Sequence, residues 1–278
     1  MPRNYKYHLV KLNALRNGSQ LDLWCSVVRY NLKYVFWRPA LVKLFLSDKI
    51  QKKNKLLYTI LVGDHDQLHE IPKKLPGWDY ICFTDNPDTT SHTWEIQSLE
   101  NPLNLDPVRL SRHYKINNHL VDSSYDLSVY VDANFRIRGN LDCFLAHAMV
   151  KENSLSMLLH PFHHSLVQEF ETCIALGKDD EDILRSQYEY YVNQQGFNDD
   201  HPHVAASLII RETGDPQVVS LMECWFDQLI KWSRRDQVAF NYARSLCPEV
   251  TVNYIPYYIL RRYFKKFDHK KNPNTVSN

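Results

Sequence analysis

Short apolar runs recur along the chain, each closed by polar or turn-forming residues. The runs 56–62, 78–83, 127–131, 154–159 and 205–210 are five to seven residues long and read as buried strands. Between them, apolar residues spaced three and four apart predict helices over 107–120, 183–194, 218–232 and 234–245. Strands alternating with helices predict an α/β core, a mostly parallel sheet flanked by helices. Upstream, 21–46 has a helical pattern interrupted at Pro39, which opens a second short helix over 40–46. A basic linker over 49–55 separates it from the first strand. The chain therefore divides into a basic, aromatic helical segment (1–54), a catalytic-type core (55–253) and a basic, aromatic helix with a tail (254–278).

Several strands end in polar residues. Gly63-Asp64, Thr84-Asp85, Asp132-Ala133-Asn134 and His160-Pro161 all stand at predicted strand ends. In open α/β sheets, ligands bind outside the carboxyl ends of the strands, so these positions line one crevice. The chain has 7 glycines and neither a GxGxxG nor a P-loop pattern. Any phosphate is then held by a metal ion and cationic side chains rather than by a glycine-rich loop.

Charge changes the picture more than overall composition does. The net charge is +1, yet residues 1–54 carry 11 Lys/Arg against 2 Asp/Glu, and 255–278 carry 6 against 1. The body between them is acidic, which disfavours a nucleic-acid partner. The basic ends suit an anionic membrane surface, or else pack on the core or on another subunit. No run of 18 uncharged apolar residues and no signal-peptide pattern occurs. The six cysteines show no zinc or redox spacing, so they read as reduced core thiols. The expected location is cytoplasmic, peripheral to the inner face of the membrane.

Candidate chemistry centres on Asp132-Ala133-Asn134. Two oxygen-bearing side chains two residues apart suit Mg²⁺ or Mn²⁺, which take carboxylates and substrate phosphates; a strand-end turn would use the same residues. His160 could add a nitrogen ligand or bond a sugar hydroxyl, or simply be a surface histidine. Arg109, Arg112 and Lys115 recur every three residues on one helix, a stripe for a diphosphate or else a solvated face. His201 and His203 read as loop residues. Ser233 and Asp236 fit a capping box, while Asp236 could also serve as general base for an acceptor hydroxyl.

Read in order, YTILVGDHDQL (58–68), YICFTDNP (80–87), DPVRLSRHYKINNHL (106–120), YDLSVYVDANFRI (125–137), HPFHHSLVQEFETC (160–173) and RRDQVAFNYA (234–243) resemble the TOD/MUCI glycosyltransferase-like family. The resemblance implies a GT-A-like, Rossmann-like fold and transfer of a hexose-type sugar from a nucleotide diphosphate-sugar. A UDP-sugar is the expected donor, a glycan or lipid-linked glycan the acceptor, and Mn²⁺ or Mg²⁺ the cofactor. By position it implies donor contacts from Arg109, Arg112, Lys115, Asp132, Ala133, Asn134 and Gln237, and the strand-end residues Asp64, Thr84 and Asp85 are expected to face the nucleoside. Metal ligation falls to Asp132, Asn134 and His160. His160, His163, Glu169 and Arg235 face the sugar or acceptor, and Asp132 and Asp236 carry the catalysis. Two departures stand out: His163 occupies a position where the family usually has Arg, and Asn118 one where it tends to have Pro. A non-catalytic sugar- or nucleotide-binding module and a metal-dependent hydrolase of a lipid or sugar conjugate remain the rival readings.

Overall fold

The computed structural model describes residues 53–63, 66–121, 124–149 and 153–268. The readings for 21–46, for Asp64 and for the far C-terminal tail lie outside these residues.

The first strand, β1 (Lys55–Leu61), is buried along almost its whole length, as a strand flanked on both sides and covered on both faces must be. It is followed by β2 (Trp78–Thr84) and β3 (Glu95–Ser98). Helix α1 (Pro107–Ile116) starts with Pro107 in its first turn, and the Asp106 side chain accepts from the amides of Val108 and Arg109. The predicted helix over 107–120 breaks at Asn117, giving α2 (Asn118–Val121). Next come β4 (Leu127–Val131), β5 (Phe135–Ile137), α3 (Leu141–Ala148) and β6 (Leu155–Leu159). Two antiparallel-type helices, α4 (Leu166–Ala175) and α5 (Glu181–Glu189), lead through a widened π turn over Tyr190–Gln194 into β7 (Val204–Glu212). The chain closes with α6 (Pro216–Lys231), α7 (Asp236–Ser245), β8 (Val252–Ile255), α8 (Tyr257–Tyr263) and β9 (Phe264–Lys266).

Seven strands form one sheet in the order β3-β2-β1-β4-β7-β6-β8, and β5 pairs with β9 in a small second sheet. Every neighbouring pair in the large sheet is parallel except those involving β7, which is antiparallel to both β4 and β6. This is the mixed, mostly parallel α/β arrangement of a GT-A-like, Rossmann-type fold. The reversal at β7 has a local cause. After β6 the chain makes a helical hairpin on the same side of the sheet and re-enters from that edge, where the His160 amide donates to the His203 carbonyl at 2.9 Å.

Amphipathic helices seal the core. On α6, Val218, Leu221, Met222, Trp225, Phe226 and Leu229 are buried, a spacing that lays one apolar stripe on the sheet. Arg211 on β7 is 1% exposed and spans from the sheet to the end of α1. It donates to the Ile116 carbonyl at 2.5 Å and also to the Lys115 carbonyl and the Tyr58 hydroxyl. A guanidinium at a helix C-terminus meets the negative end of the helix dipole, which offsets part of its desolvation.

The single helix expected beyond residue 253 resolves instead into strand, short helix and strand. Ile259, Leu260, Tyr263 and Phe264 are buried, so their apolar side chains serve the core rather than a lipid interface. The Arg138 and Gly139 amides both donate to the Tyr263 carbonyl, at 2.7 and 3.2 Å. A Cβ at Gly139 would stand 2.6 Å from Tyr263 Cδ1, closer than packed atoms allow. Gly139→Ala should therefore destabilise the domain by about 1–3 kcal/mol through overpacking. Urea denaturation of the two proteins would read this as a lower midpoint at unchanged slope.

Candidate active site

Strand order reverses between β1 and β4, because β2 and β3 lie to one side of β1 and β4 to the other. That switch point is where open α/β sheets leave a crevice. A cavity of about 290 Å³ opens there, lined by Ile60, Leu61 and Val62 after β1, by Tyr130, Asp132 and Ala133 at β4, and by Asp66, Pro107, Val108, Ser111 and Arg112. The first turn of α1 thus borders the cavity, with the positive end of its dipole on that side.

Arg112 and Asp132 on this wall belong to a chain of opposite charges that continues into the buried Lys115 and Asp236. The Lys115 ammonium lies 2.5 Å from Asp236 Oδ2 and 4.0 Å from Asp132 Oδ1. Arg112 Nε lies 3.1 Å from Asp236 Oδ2. The Tyr130 hydroxyl donates to Asp132 Oδ1 at 2.8 Å, and Lys115 Nζ sits 5.0 Å from the centre of the Tyr130 ring. Burial alone would raise the Asp236 pKa, yet Arg112, Lys115 and Arg235 outweigh it and hold the carboxyl well below the usual range. Burial lowers Lys115, partly countered by Asp236. For Arg112, burial works against the charge, and Asp236, Tyr130 and Asp132 together more than offset it. Burial, then the Asp132 charge, pushes Tyr130 well up, so its hydroxyl stays a donor.

The expected cationic stripe divides. Arg112 and Lys115 reach the site, but Arg109 turns away, donating to Asp106 at 2.7 Å and to the Leu229 and Trp232 carbonyls at 2.8 Å. An α-helix turns about 100° per residue, so steps of three drift around the axis and cannot keep three side chains on one line. Arg109 instead straps α1 to the end of α6.

The capping box also gives way. The N-cap of α7 is Arg235 and makes no side-chain cap bond, which places Asp236 inside the first turn. Ser233 Oγ donates to Asp179 Oδ2 at 2.6 Å and accepts from the Arg235 amide at 3.1 Å. Asp236 is thereby released to face Lys115. Gln237 donates from Nε2 to the Val204 carbonyl at 3.2 Å, tying α7 to β7 rather than facing the crevice.

Of the Asp132-Ala133-Asn134 element, Asp132 and Ala133 line the crevice. Asn134 is 2% exposed, and its Nδ2 donates to the Phe267 carbonyl at 3.1 Å while its own carbonyl receives the Phe267 amide at 2.8 Å. This clasp explains an amide at the position: a carboxylate there would face a carbonyl oxygen with no proton between them. Thr84 is buried, its Oγ1 accepting from the Asn86 amide at 3.2 Å. Asp85 accepts from the Gly63 amide at 3.0 Å, holding the turn after β1, where Gly63 has φ 64°.

His160, His163, Glu169 and His203 form a second cluster at the end of β6. His160 Nδ1 accepts from the amides of His163 and Phe162, at 2.7 and 3.3 Å. A backbone N–H cannot accept, so the neutral ring carries its proton on Nε2 and presents a donor, not the lone pair a metal needs. Burial, then His163, lowers His160 to about 3, which keeps it neutral. His160 Nδ1 is thus engaged by its own backbone, which leaves Nε2 as the atom it offers to a ligand. Arg235 acts electrostatically on both clusters: it helps hold the Asp236 carboxyl down and tempers the rise that burial gives the Cys173 thiol.

Sequence reasoning missed Tyr130, Asp66, Ser111, Thr172 and the burial of His203. Tyr130 was recoverable, because residues two apart on a strand share a face and Asp132 follows it by two. Asp66 and Ser111 carry no local signal. Among the described residues, Cys82, Cys143, Cys173, Cys224 and Cys247 are free thiols, and no helix is long and apolar enough to cross a membrane.

A crevice at the switch point of a mixed α/β sheet, lined by Asp66, Asp132 and Arg112, is where such a fold binds a ligand. The chain belongs to the TOD1/MUCI70 glycosyltransferase-like domain family, whose profile matches residues 82–269. That span includes β8, α8 and β9, in keeping with their place in the fold. Comparison with curated proteins gives no match. A glycosyltransferase-like domain implies, in general, a sugar donor and an acceptor.

Asp236→Asn should cost about 3–5 kcal/mol, because it leaves a buried lysine short of its nearest counter-charge. The folded pKa of Asp236 lies below its unfolded value of about 3.9. Its contribution is therefore complete above that value and is lost as the pH falls through the folded pKa. Urea unfolding of wild type and variant should show a gap that is constant at neutral pH and narrows below about pH 4.

Proposed function

We propose that this domain transfers a hexose-type sugar from a nucleotide diphosphate-sugar, with a UDP-sugar as first choice, to a glycan or lipid-linked glycan acceptor. The observation that carries this reading is the crevice between β1 and β4, where Asp132 and Arg112 share one wall. The nucleoside lies along the ends of β1 and β2, and the diphosphate lies against Arg112 and the first turn of α1. Preorganised cations facing a departing diphosphate stabilise the charge that develops on it, and they do so with little reorganisation.

The donor set suits a hard divalent cation in part. Asp132 and Asp66 bring two carboxylates to the cavity, the number Mg²⁺ or Mn²⁺ usually takes alongside substrate phosphates. Asn134 is turned to Phe267 and is not on the cavity wall, so Asp132 is the principal ligand with Asp66 as its partner. Bound there, the cation would offset charge on the leaving nucleoside diphosphate. Lys115 and Arg112 supply positive charge beside it, and Asp236 holds both in place. A carboxylate so strongly depressed is a weak base, so Asp236 acts as a positioning residue. His160, through Nε2–H, donates to a sugar hydroxyl or phosphate oxygen.

The reading extends to location. Arg261, Lys265 and Lys266 are exposed, and Tyr258 is 51% exposed, near the end of the chain. This basic surface contacts the anionic inner leaflet, each cation contributing about 1 kcal/mol. The enzyme works there as a cytoplasmic, peripheral protein on lipid-linked acceptors.

Thermal unfolding with nucleoside diphosphates and nucleotide sugars, each with and without Mn²⁺, tests the proposal. One nucleotide at about 100 times its Kd should stabilise the wild type by about 2.7 kcal/mol, with Mn²⁺ required. Asp132→Ala should abolish the response. A folded wild type that responds to no nucleotide would sink the transferase reading, and sugar release without any acceptor would favour a hydrolase.

A further inference from the structure

Apart from the crevice, one group of metal-ligating side chains among the described residues, His160, His163 and Glu169, brings its ligand atoms within 4.8 Å of one another, and His203 packs beside it. The turn after β6 supplies His163, α4 supplies Glu169, Thr172 and Cys173, and the loop entering β7 supplies His203. Glu169 is 1% exposed, and among the described residues its ion-pair partners are imidazoles alone. A buried carboxylate requires a positive charge close by.

Two imidazole nitrogens approach the same carboxylate oxygen. His163 Nδ1 lies 2.5 Å and His203 Nε2 3.7 Å from Glu169 Oε2. His203 is 2% exposed, and neither of its ring nitrogens has a hydrogen-bond partner. A buried imidazole without such partners is costly unless something else takes its lone pair. The outer contacts follow the pattern of metal-binding histidines, which donate their second ring N–H to an oxygen. His163 Nε2 lies 3.2 Å from Thr172 Oγ1, and Glu169 Oε1 receives the Cys173 thiol at 3.5 Å.

We propose that His163 Nδ1, His203 Nε2 and Glu169 bind one divalent transition cation of the Zn²⁺ class, at a site separate from the Asp132 crevice. Two nitrogens and a carboxylate form a borderline donor set, suited to Zn²⁺ rather than to Mg²⁺. Zinc bonds of about 2.0–2.1 Å put neighbouring ligand atoms roughly 3.4 Å apart in a tetrahedron. The His203–Glu169 separation is close to this. The His163–Glu169 pair opens by roughly 1 Å as the cation replaces the proton they share. Three protein ligands leave a fourth position for water or a sugar oxygen. His160 stands beside it without ligating, its ring stacked on His163 with centres 4.3 Å apart. The site needs no nucleotide, so it is independent of the sugar-transfer reading.

The test uses the full chain, stripped with chelator and titrated with Co²⁺ and then Zn²⁺ in the absence of nucleotide. Wild type should show saturable visible absorption from one Co²⁺, displaced by Zn²⁺. Asp132→Ala should bind equally well, and His163→Ala more than tenfold more weakly. Lack of a saturable one-to-one Co²⁺ signal in wild type, or equal affinity in folded His163→Ala, overturns the proposal. Should His163→Ala fail to fold, imidazole ¹⁵N spectra of the wild type decide. Zn²⁺ must move the His163 and His203 ring signals, and unchanged signals overturn the site.

Discussion

A lysine ammonium taken out of water has to be matched, and the site is arranged around that requirement. Lys115 is 2% exposed at the end of α1. Its backbone carbonyl is fixed by the Tyr58 hydroxyl at 2.8 Å and by Arg211, so the helix end cannot shift to let the ammonium escape. Asp236, from a helix more than a hundred residues later, supplies the nearest counter-charge, and Asp132 supplies the next. One buried cation therefore couples α1, β4, β7 and α7. The same coupling sets the charge: Arg112 and Lys115 outweigh burial and hold the Asp236 carboxyl well below the usual range.

The reversal of β7 has a second consequence. A strand running back from the carboxyl edge places its own first residues there, so His203 arrives beside His160 and Glu169. In an all-parallel sheet that edge would receive only strand ends. Here it receives a strand start as well, and the Glu169 cluster is built from both.

Much of the sheet could be read from sequence because its strands are fully buried and short. The five apolar runs correspond to β1, β2, β4, β6 and β7. Strands β3, β5, β8 and β9 are short, three or four residues, and at most partly apolar, so nothing in their pattern distinguishes them from loops. Residues 254–267 misled for a different reason: a mixture of aromatic and basic side chains suits a surface helix, and only the partners of Tyr263 and Phe264 show otherwise. The Asp132 element and the Lys115–Asp236 pairing rest on different signals. The first follows from a strand ending in Asp. The second is a contact across 121 positions that no local rule predicts.

The clasp between Asn134 and Phe267 joins residues 133 positions apart. During synthesis, β1 through β4 are complete long before Phe267 has been made. The residue following Asp132 and Ala133 then has neither of its two backbone partners. Closure of the turn after Ala133 therefore waits on Phe267: a nascent domain can hold β1 through β4 while this turn is still open.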